Sequence, residues 1–395
     1  MAVDVFSVKN NITVEFQASI PNTFIWGVSE WDDGNWDIDG GSEAYQELQC
    51  ETFDIQIEKG CDTTSGIFLS PSSSVATISM RGAAYDPFNN RSIHAGTPIR
   101  ISAEYAPDTA PGATQVIWNG FVRDYTASYD QRGNNVVIIH AVDGMQDFLN
   151  TRIDTYTITG PGVPMFPGEV ISDLCNTYSF GVAGNLNPDM AYMMHKTYTN
   201  TTVGEIIKDC LVAGLGAFWM DRDGYLNYRS EEDLANTIES SWSFHFSTTH
   251  STDFEHICMT DLVMKADSRD LPNDITATNP SGAVVNMRNI DAYDLFGSVH
   301  LDVAVPVESS SDLQNWLDRI NLTTKLRRVE TLNFDAASRT GQLWYWWLVD
   351  RLFDPNIVSY NLNGINFSET YFVTKQTDTI TPYSWDIGLE LWRGI

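Results

Sequence analysis

Hydrophobic and polar positions alternate in short runs along most of the chain, and the clearest runs lie between Val116 and Leu149. Residues 116–129 read as an extended segment, residues 130–135 hold turn formers, and residues 136–142 are an almost continuous apolar strand that stops at Asp143-Gly144. Two strands joined by a polar loop bearing Asn and Gly predict an antiparallel hairpin. The β-branched run Val136-Val137-Ile138-Ile139 suits a surface buried on both faces, so the hairpin is expected at the centre of a sheet. Upstream, ITVEFQASI from Ile12 alternates as a first strand, and ETFDIQIE sets Phe53, Ile55 and Ile57 on one face. VATISMR and IRISAEY continue the pattern; residues 61–74 read as a small-residue loop and residues 83–98 as a turn-dense connection. Short strands at this spacing predict an antiparallel sandwich or barrel.

The period changes after Leu149. GPGVPMFPGE marks a boundary within residues 151–168, and Val170, Ile171, Leu174, Cys175 and Tyr178 then recur at helical spacing behind Pro167. Thr202 and Glu205 predict a capping box for a second helix bearing Val203, Ile206, Ile207, Cys210 and Leu211, stopped by Gly214 and Gly216. FWM, DRDG and YLNYR then predict a tight hairpin at Asp223-Gly224. Strands return in the last third with one helix over residues 311–322, where Leu313, Trp316, Leu317 and Ile320 share a face and Ser311 and Gln314 are expected to cap. GQLWYWWLVDRLF fits a buried helix or a strand pair. Residues 371–392 read as strand, Pro turn, strand, a second hairpin echoing the first. The expected organisation is a first β-domain over residues 1–150 with a Trp-rich N-terminal segment, a small α/β domain over 151–258, and a second β-domain with one or two helices over 259–395.

Composition narrows the function. Twelve Trp among 395 residues, with 12% aromatic content, is the make-up of a folded chain. Against 23 basic residues stand 52 acidic ones, a formal charge of -29, which argues against broad docking on nucleic-acid phosphate or anionic lipid. Cys50, Cys61, Cys175, Cys210 and Cys258 form no C-x-x-C pair and are expected as reduced thiols. No apolar run approaches the length of a membrane span, and MAVDVFSVKNN lacks a basic-then-apolar signal.

Candidate chemistry is sparse. His245, His250, His256 and Cys258 carry imidazole and thiolate groups suited to zinc, but their spacing matches no established zinc pattern, and no metal or cofactor is assigned. The acidic turns at residues 32–39 and 221–223 do not fit a calcium loop and read as turn aspartates. A nucleophile elbow, a zinc-protease helix, a phosphate loop and a dinucleotide fingerprint are all missing, so no catalytic residue is named. Trp26, Trp31 and Trp36 could stack on sugars or partners, although core or subunit contacts are the commoner use of indole. Lys325-Leu326-Arg327-Arg328 is too short for nucleic-acid recognition.

The order of the pieces resembles tail hub and minor tail proteins of long-tailed phages and related viruses. SVATISMRGAAYDPFNNRSIHAGTPIRISAEY followed by VIWNGFVRDYTASYDQRGNNVVIIHAVDGMQDFL is similar to their first half, TVGEIIKDCLVAGLGAFWMDRDGYLNYR to their middle unit, and YFVTKQTDTITPYSWDIGLELW to their closing hairpin. That resemblance implies two related antiparallel β-barrel or sandwich tube domains with a small α/β insertion. It further implies a homotrimeric ring continuing the tail tube, at the distal end of a virion tail. The implied partners are the tube or distal tail protein, the tape-measure protein, receptor-binding tail proteins, and genomic DNA that passes without specific binding. An alternative is a distal tail or receptor- or carbohydrate-binding tail-tip protein.

Overall fold

The computed structural model of the protein describes residues 12–17, 45–47, 51–64, 68–81, 86, 93–105, 113–129, 131, 135–158, 165–181, 192–234, 244–248, 256–265, 272–290, 293–294, 297–321, 328–336, 352–362 and 365–392. The strands of the first third are β1 (Ile12–Gln17), β2 (Tyr45–Glu47), β3 (Glu51–Thr64), β4 (Phe68–Pro71), β5 (Val75–Arg81), β6 (Pro98–Tyr105), β7 (Ala113–Tyr129) and β8 (Asn135–Val142). The middle holds helix α1 (Met145–Asn150), β9 (Arg152–Thr157), α2 (Pro167–Thr177), β10 (Thr197–Thr202), α3 (Val203–Gly214), β11 (Ala217–Met220) and β12 (Leu226–Arg229). Then come β13 (Phe244–Ser247), β14 (His256–Cys258), β15 (Asp261–Lys265), β16 (Asp274–Thr278), β17 (Val284–Arg288) and β18 (His300–Ala304). The last elements are α4 (Ser310–Asn321), β19 (Arg328–Asp335), β20 (Pro355–Leu362), β21 (Ile365–Ile380) and β22 (Trp385–Trp392). The chain divides into one unit of Met1–Ile57, Val75–Asp143 and Thr379–Trp385, and a second of Glu58–Ser74, Gly144–Asp378 and Asp386–Ile395.

In the first unit β5, β8, β7, β6, β1 and β2 lie side by side in that order, each pair antiparallel. Ile78 lies opposite Ile139, and Ile101 is flanked by Trp118 and Val14, so one face of the sheet is a continuous apolar layer. All five are buried, and each such side chain contributes about 1.5–3 kcal/mol by leaving water. Central placement of β8, between β5 and β7, is as expected. Burial on both of its faces is not: Val137, Ile139 and Ala141 are buried, whereas Val136, Ile138 and His140 are half-exposed. β-branched residues fit a pleat whether or not the second face is covered, so their run does not report burial. Gly120 abuts the Val142 carbonyl so closely that a side chain would strike it, next to the bulge of β7 between Val122 and Asp124.

In the second unit the strand ladder returns on itself. β15 pairs β19, β19 pairs β22, β22 pairs β21, β21 pairs β20, β20 pairs β13 and β13 pairs β14. β14 and β15 are successive pieces of one segment, whose linking amides Met259 N and Thr260 N donate to Ser247 O and Asn333 O. This makes a closed barrel, which leaves no free edge among these strands. Phe244, Phe246, Leu332, Phe334, Val358, Ile387 and Leu389 are buried on it, with the Phe246 and Phe334 rings 5.8 Å apart. The pairings of β13 with β14 and with β20, and of β16 with β18, are parallel exceptions in an otherwise antiparallel, mainly β chain.

A separate core in this unit gathers Phe148, Ile171, Leu174, Ile206, Ile207, Phe218, Ile275, Leu317 and Ile320 from the helices and small sheets. Pro167 opens α2, and Glu169 accepts the Phe166 amide. Thr202 caps α3 by accepting from Glu205 N, and Leu215 ends it in the left-handed region with φ 47°. The cap expected at Ser311 and Gln314 lies earlier. Ser309 Oγ accepts from Asp312 N while the Asp312 carboxylate accepts from Ser309 N, a reciprocal box in which Asp stands for the usual Glu. Among the elements that escaped the periodicity are β4, which pairs residues 61–64 and replaces the expected loop, β9 in the expected boundary, β2, β10 and α1. GQLWYWWLVDRLF lies outside the described residues apart from Leu352 and Phe353.

Candidate functional site

The fold brings together some of the residues singled out in the sequence. His245 and His256 are direct partners across the parallel β13–β14 pair, with ring centres 4.9 Å apart. Cys258 is one alternation further along β14, opposite Ser247, with its Sγ 3.9 Å from Met259 O. Among the described residues, no group of three or more His, Cys, Asp or Glu is placed to hold a metal. His250, Trp26, Trp31, Trp36, the acidic turn at 32–39 and Lys325 to Arg327 lie outside the described residues. At the other acidic turn, Asp221 Oδ1 accepts from Asp223 N and Tyr225 N, and its Oδ2 accepts from Asn227 Nδ2. With Gly224 at φ 86°, Asp221 shapes the β11–β12 turn. Of the described cysteines Cys61, Cys175 and Cys210 are buried free thiols, and burial pushes the Cys61 thiol up to about 12. Such thiols pack and do not react.

In the first unit, the surface with functional character is the open face of the sheet. Register aligns Pro98, Phe121, Val142 and Val75 in one row across β6, β7, β8 and β5. Phe121 is 41% exposed and Val75 37%, which makes this an apolar strip at the edge of a polar field. The next row is Asp124, His140 and Thr77, in which His140 Nδ1 is 3.3 Å from Thr77 Oγ1 and His140 Nε2 is 4.0 Å from Asp124. Further rows bring Thr126, Ile138 and Ser79, then Ser128, Val136 and Arg81. Toward β1 the same face holds a bidentate ion pair, Arg100 Nε and Nη2 donating to Glu15 at 2.5 and 3.0 Å.

In the second unit, the open face is acidic. Lys375 Nζ meets Glu58 at 2.6 Å and Asp62 at 3.0 Å. Burial pulls the Lys375 ammonium down, but these two carboxylates outweigh it and the net shift is upward. Burial raises Glu390, Lys375 draws it back, and Asp62, Glu58 and Glu330 add to the rise. Asp335 lies directly opposite Asp386 across β19 and β22, a like-charge pairing that costs stability in a sheet. Among the described side chains the carboxylates around Lys375 outnumber it and give this cluster a field that repels anions. The Thr77, His140 and Asp124 row sets a hydroxyl beside an imidazole on an open sheet face, and elsewhere among the described residues the two faces offer shape and charge. Sequence reading missed the Lys375 cluster, because its members come from β3, β19, β21 and β22; the alternation of Lys375, Thr377 and Thr379 with buried Thr374, Gln376 and Asp378 was the available signal.

No protein-family model and no curated protein matches the sequence. Among solved structures the chain is similar to a tail protein from Neisseria meningitidis MC58, with a TM-score of 0.60 and 10% identity over 96% of this chain and 96% of that one. It is also similar to the 43 kDa tail protein of prophage MuSo2 from Shewanella oneidensis, with a TM-score of 0.58 and 10% identity over 97% of this chain and 98% of that one. At this identity the likeness is one of fold, and it runs the length of the chain. The fold is that of these tail proteins, mainly β with antiparallel sheets, as the resemblance read from the sequence implied.

Proposed function

We propose that the protein is a non-catalytic structural component of a phage-like tail, and within the tail a tip hub whose copies form a ring that continues the tube. The observation that carries this reading is the full-length likeness in fold to two tail proteins. Residues 1–150 and 259–395 are read as carrying two tube domains and residues 151–258 the α/β domain between them, with β13 and β14 joining the second barrel and β16 and α4 joining the α/β core. Three copies with two such domains each give a pseudo-sixfold ring. Long first strands of 17 and 16 residues in the β7–β8 and β21–β22 hairpins support treating the hairpins as equivalents.

In this reading the acidic face of the second unit belongs to the channel. Fixed carboxylates repel DNA phosphate, so the genome slides through without being held. The Phe121 strip, apolar and rimmed by polar residues, is a contact with a neighbouring copy or with the tube. Partners are the tube or distal tail protein, the tape-measure protein and the receptor-binding tail proteins, at the distal end of the virion tail. The test is mass measurement of the purified chain over a range of concentrations, with Phe121→Asp alongside. A trimer that the substitution dissociates supports the reading. A chain that stays monomeric at high concentration and joins no tail assembly contradicts it.

A further inference from the structure

We propose that His245 and His256 form a binding site for one divalent transition-metal ion of the imidazole-seeking class, zinc, nickel or copper, at the seam where the barrel of the second unit closes. The two residues are partners across adjacent parallel strands, and on each strand the residue that follows, Phe246 or Ile257, is buried, so both imidazoles stand on the outer face. The ring separation fits a shared ion. With metal–nitrogen bonds of about 2.0–2.1 Å and roughly 1.1 Å from ring nitrogen to ring centre, two imidazoles on one tetrahedral ion have centres about 5 Å apart. The His245 and His256 centres are 4.9 Å apart, with the rings inclined at 47°.

The placement gives the ion a role. β13 and β14 pair over three residues only, and this short ladder joins β13 to the strand that continues as β15 on the other side of the barrel. An ion shared by the two imidazoles staples that ladder and stabilises the closed form, since whatever binds only the folded chain shifts the equilibrium toward it. Cys258 sits one pair further along the same face. Two imidazole ligands alone predict an exchangeable ion rather than a permanently held one. Imidazole favours zinc, nickel and copper over magnesium or calcium, so the site discriminates by ligand type.

The experiment uses the full chain, stripped with a chelator and titrated calorimetrically with nickel chloride at neutral pH, with magnesium chloride as the comparison. The expected result is one nickel equivalent, none of magnesium, and a melting temperature raised by nickel. His245→Ala and His256→Ala each weaken nickel binding at least tenfold and abolish the thermal shift. His300→Ala changes neither; it removes the competing group that lies beside Asp274 and Asp302. Nickel uptake unaltered in the His245→Ala/His256→Ala double variant, or no uptake by the wild type, overturns the proposal. Should the variants fold poorly, copper-induced broadening of methyl resonances in the wild-type chain decides it. Broadening centred on Ile257 and Ile357, the neighbours of the pair in the ladder, supports the site, and broadening centred elsewhere refutes it.

Discussion

Replacing Lys375 by Met keeps the aliphatic stem and removes a cation set among Glu58, Asp62 and Glu390. The Lys375 side chain is only 16% exposed, yet Glu58 and Asp62 are 46% and 56% exposed. Removing one member of a fully buried pair costs ~3–5 kcal/mol. Exposed pairs are worth ~0.2–1 kcal/mol each, because water takes over both charges. A buried cation with two half-exposed partners falls between these limits, and the expected loss is about 1–2 kcal/mol. The sign with pH follows from the shifts. Lys375 is raised, so its stabilisation is present below the unfolded lysine value of about 10.4 and is lost only as pH rises through its still higher folded value. Glu390 is raised as well, so its burial is a penalty that grows as pH climbs through and above the ordinary glutamate value of about 4.3, and Lys375 is what limits it. Urea unfolding of wild type and Lys375→Met at neutral and acid pH measures both effects. The variant is destabilised at neutral pH, and the part of the deficit that comes from the Glu390 carboxylate disappears once Glu390 is protonated. Equal stability at neutral pH, or a deficit that does not shrink in acid, refutes the reasoning.

Other perturbations separate packing, capping and charge. Phe246→Ala empties a fully buried position against Phe334 and costs ~3–5 kcal/mol in chemical denaturation, with loss of near-ultraviolet aromatic dichroism. Ser309→Ala removes the cap of α4 and costs about 1 kcal/mol, while Ser311→Ala is close to neutral by the same measurement. Asp274 is held below the usual carboxylate range, chiefly by its hydrogen bond from Arg288, so it stabilises above the unfolded value and that contribution disappears as pH falls through the folded one. Asp274→Asn removes that acid dependence, and the effect in wild type fades at high salt because the pair is exposed.

Several elements were legible because their causes are local. Thr202 and the helical spacing of Ile206, Ile207 and Cys210 suffice for α3, and Asp223-Gly224 fixes the β11–β12 turn from within its own four residues. The two long hairpins were legible for the same reason, since each joins strands adjacent in sequence. Barrel closure was not. It depends on Phe244 pairing with Asn356 and His245 with His256 in parallel ladders, which leave no alternation or turn between the partners. Parallel register also explains why an eleven-residue spacing, meaningless as a zinc pattern, sets two imidazoles side by side. Phe68–Pro71 escaped notice because Ser and Pro at its end read as loop, while the bond from Cys61 Sγ to Phe218 O shows how firmly its partner strand is buried. The open face of β8 was misjudged because Val136 and Ile138 look like core, whereas Ile138 stands between Thr126 and Ser79 and Val136 between Ser128 and Arg81.

The central claim is that this chain builds a ring at the end of a tail tube, and a symmetry-resolved electron-microscopic image of the assembled tail tip tests it most directly. The account predicts three copies at the tube end, with the β7–β8 and β21–β22 hairpins alternating around one channel and the carboxylates near Lys375 facing it. A position away from the tube axis, or hairpins that occupy unrelated places in the assembly, would contradict it.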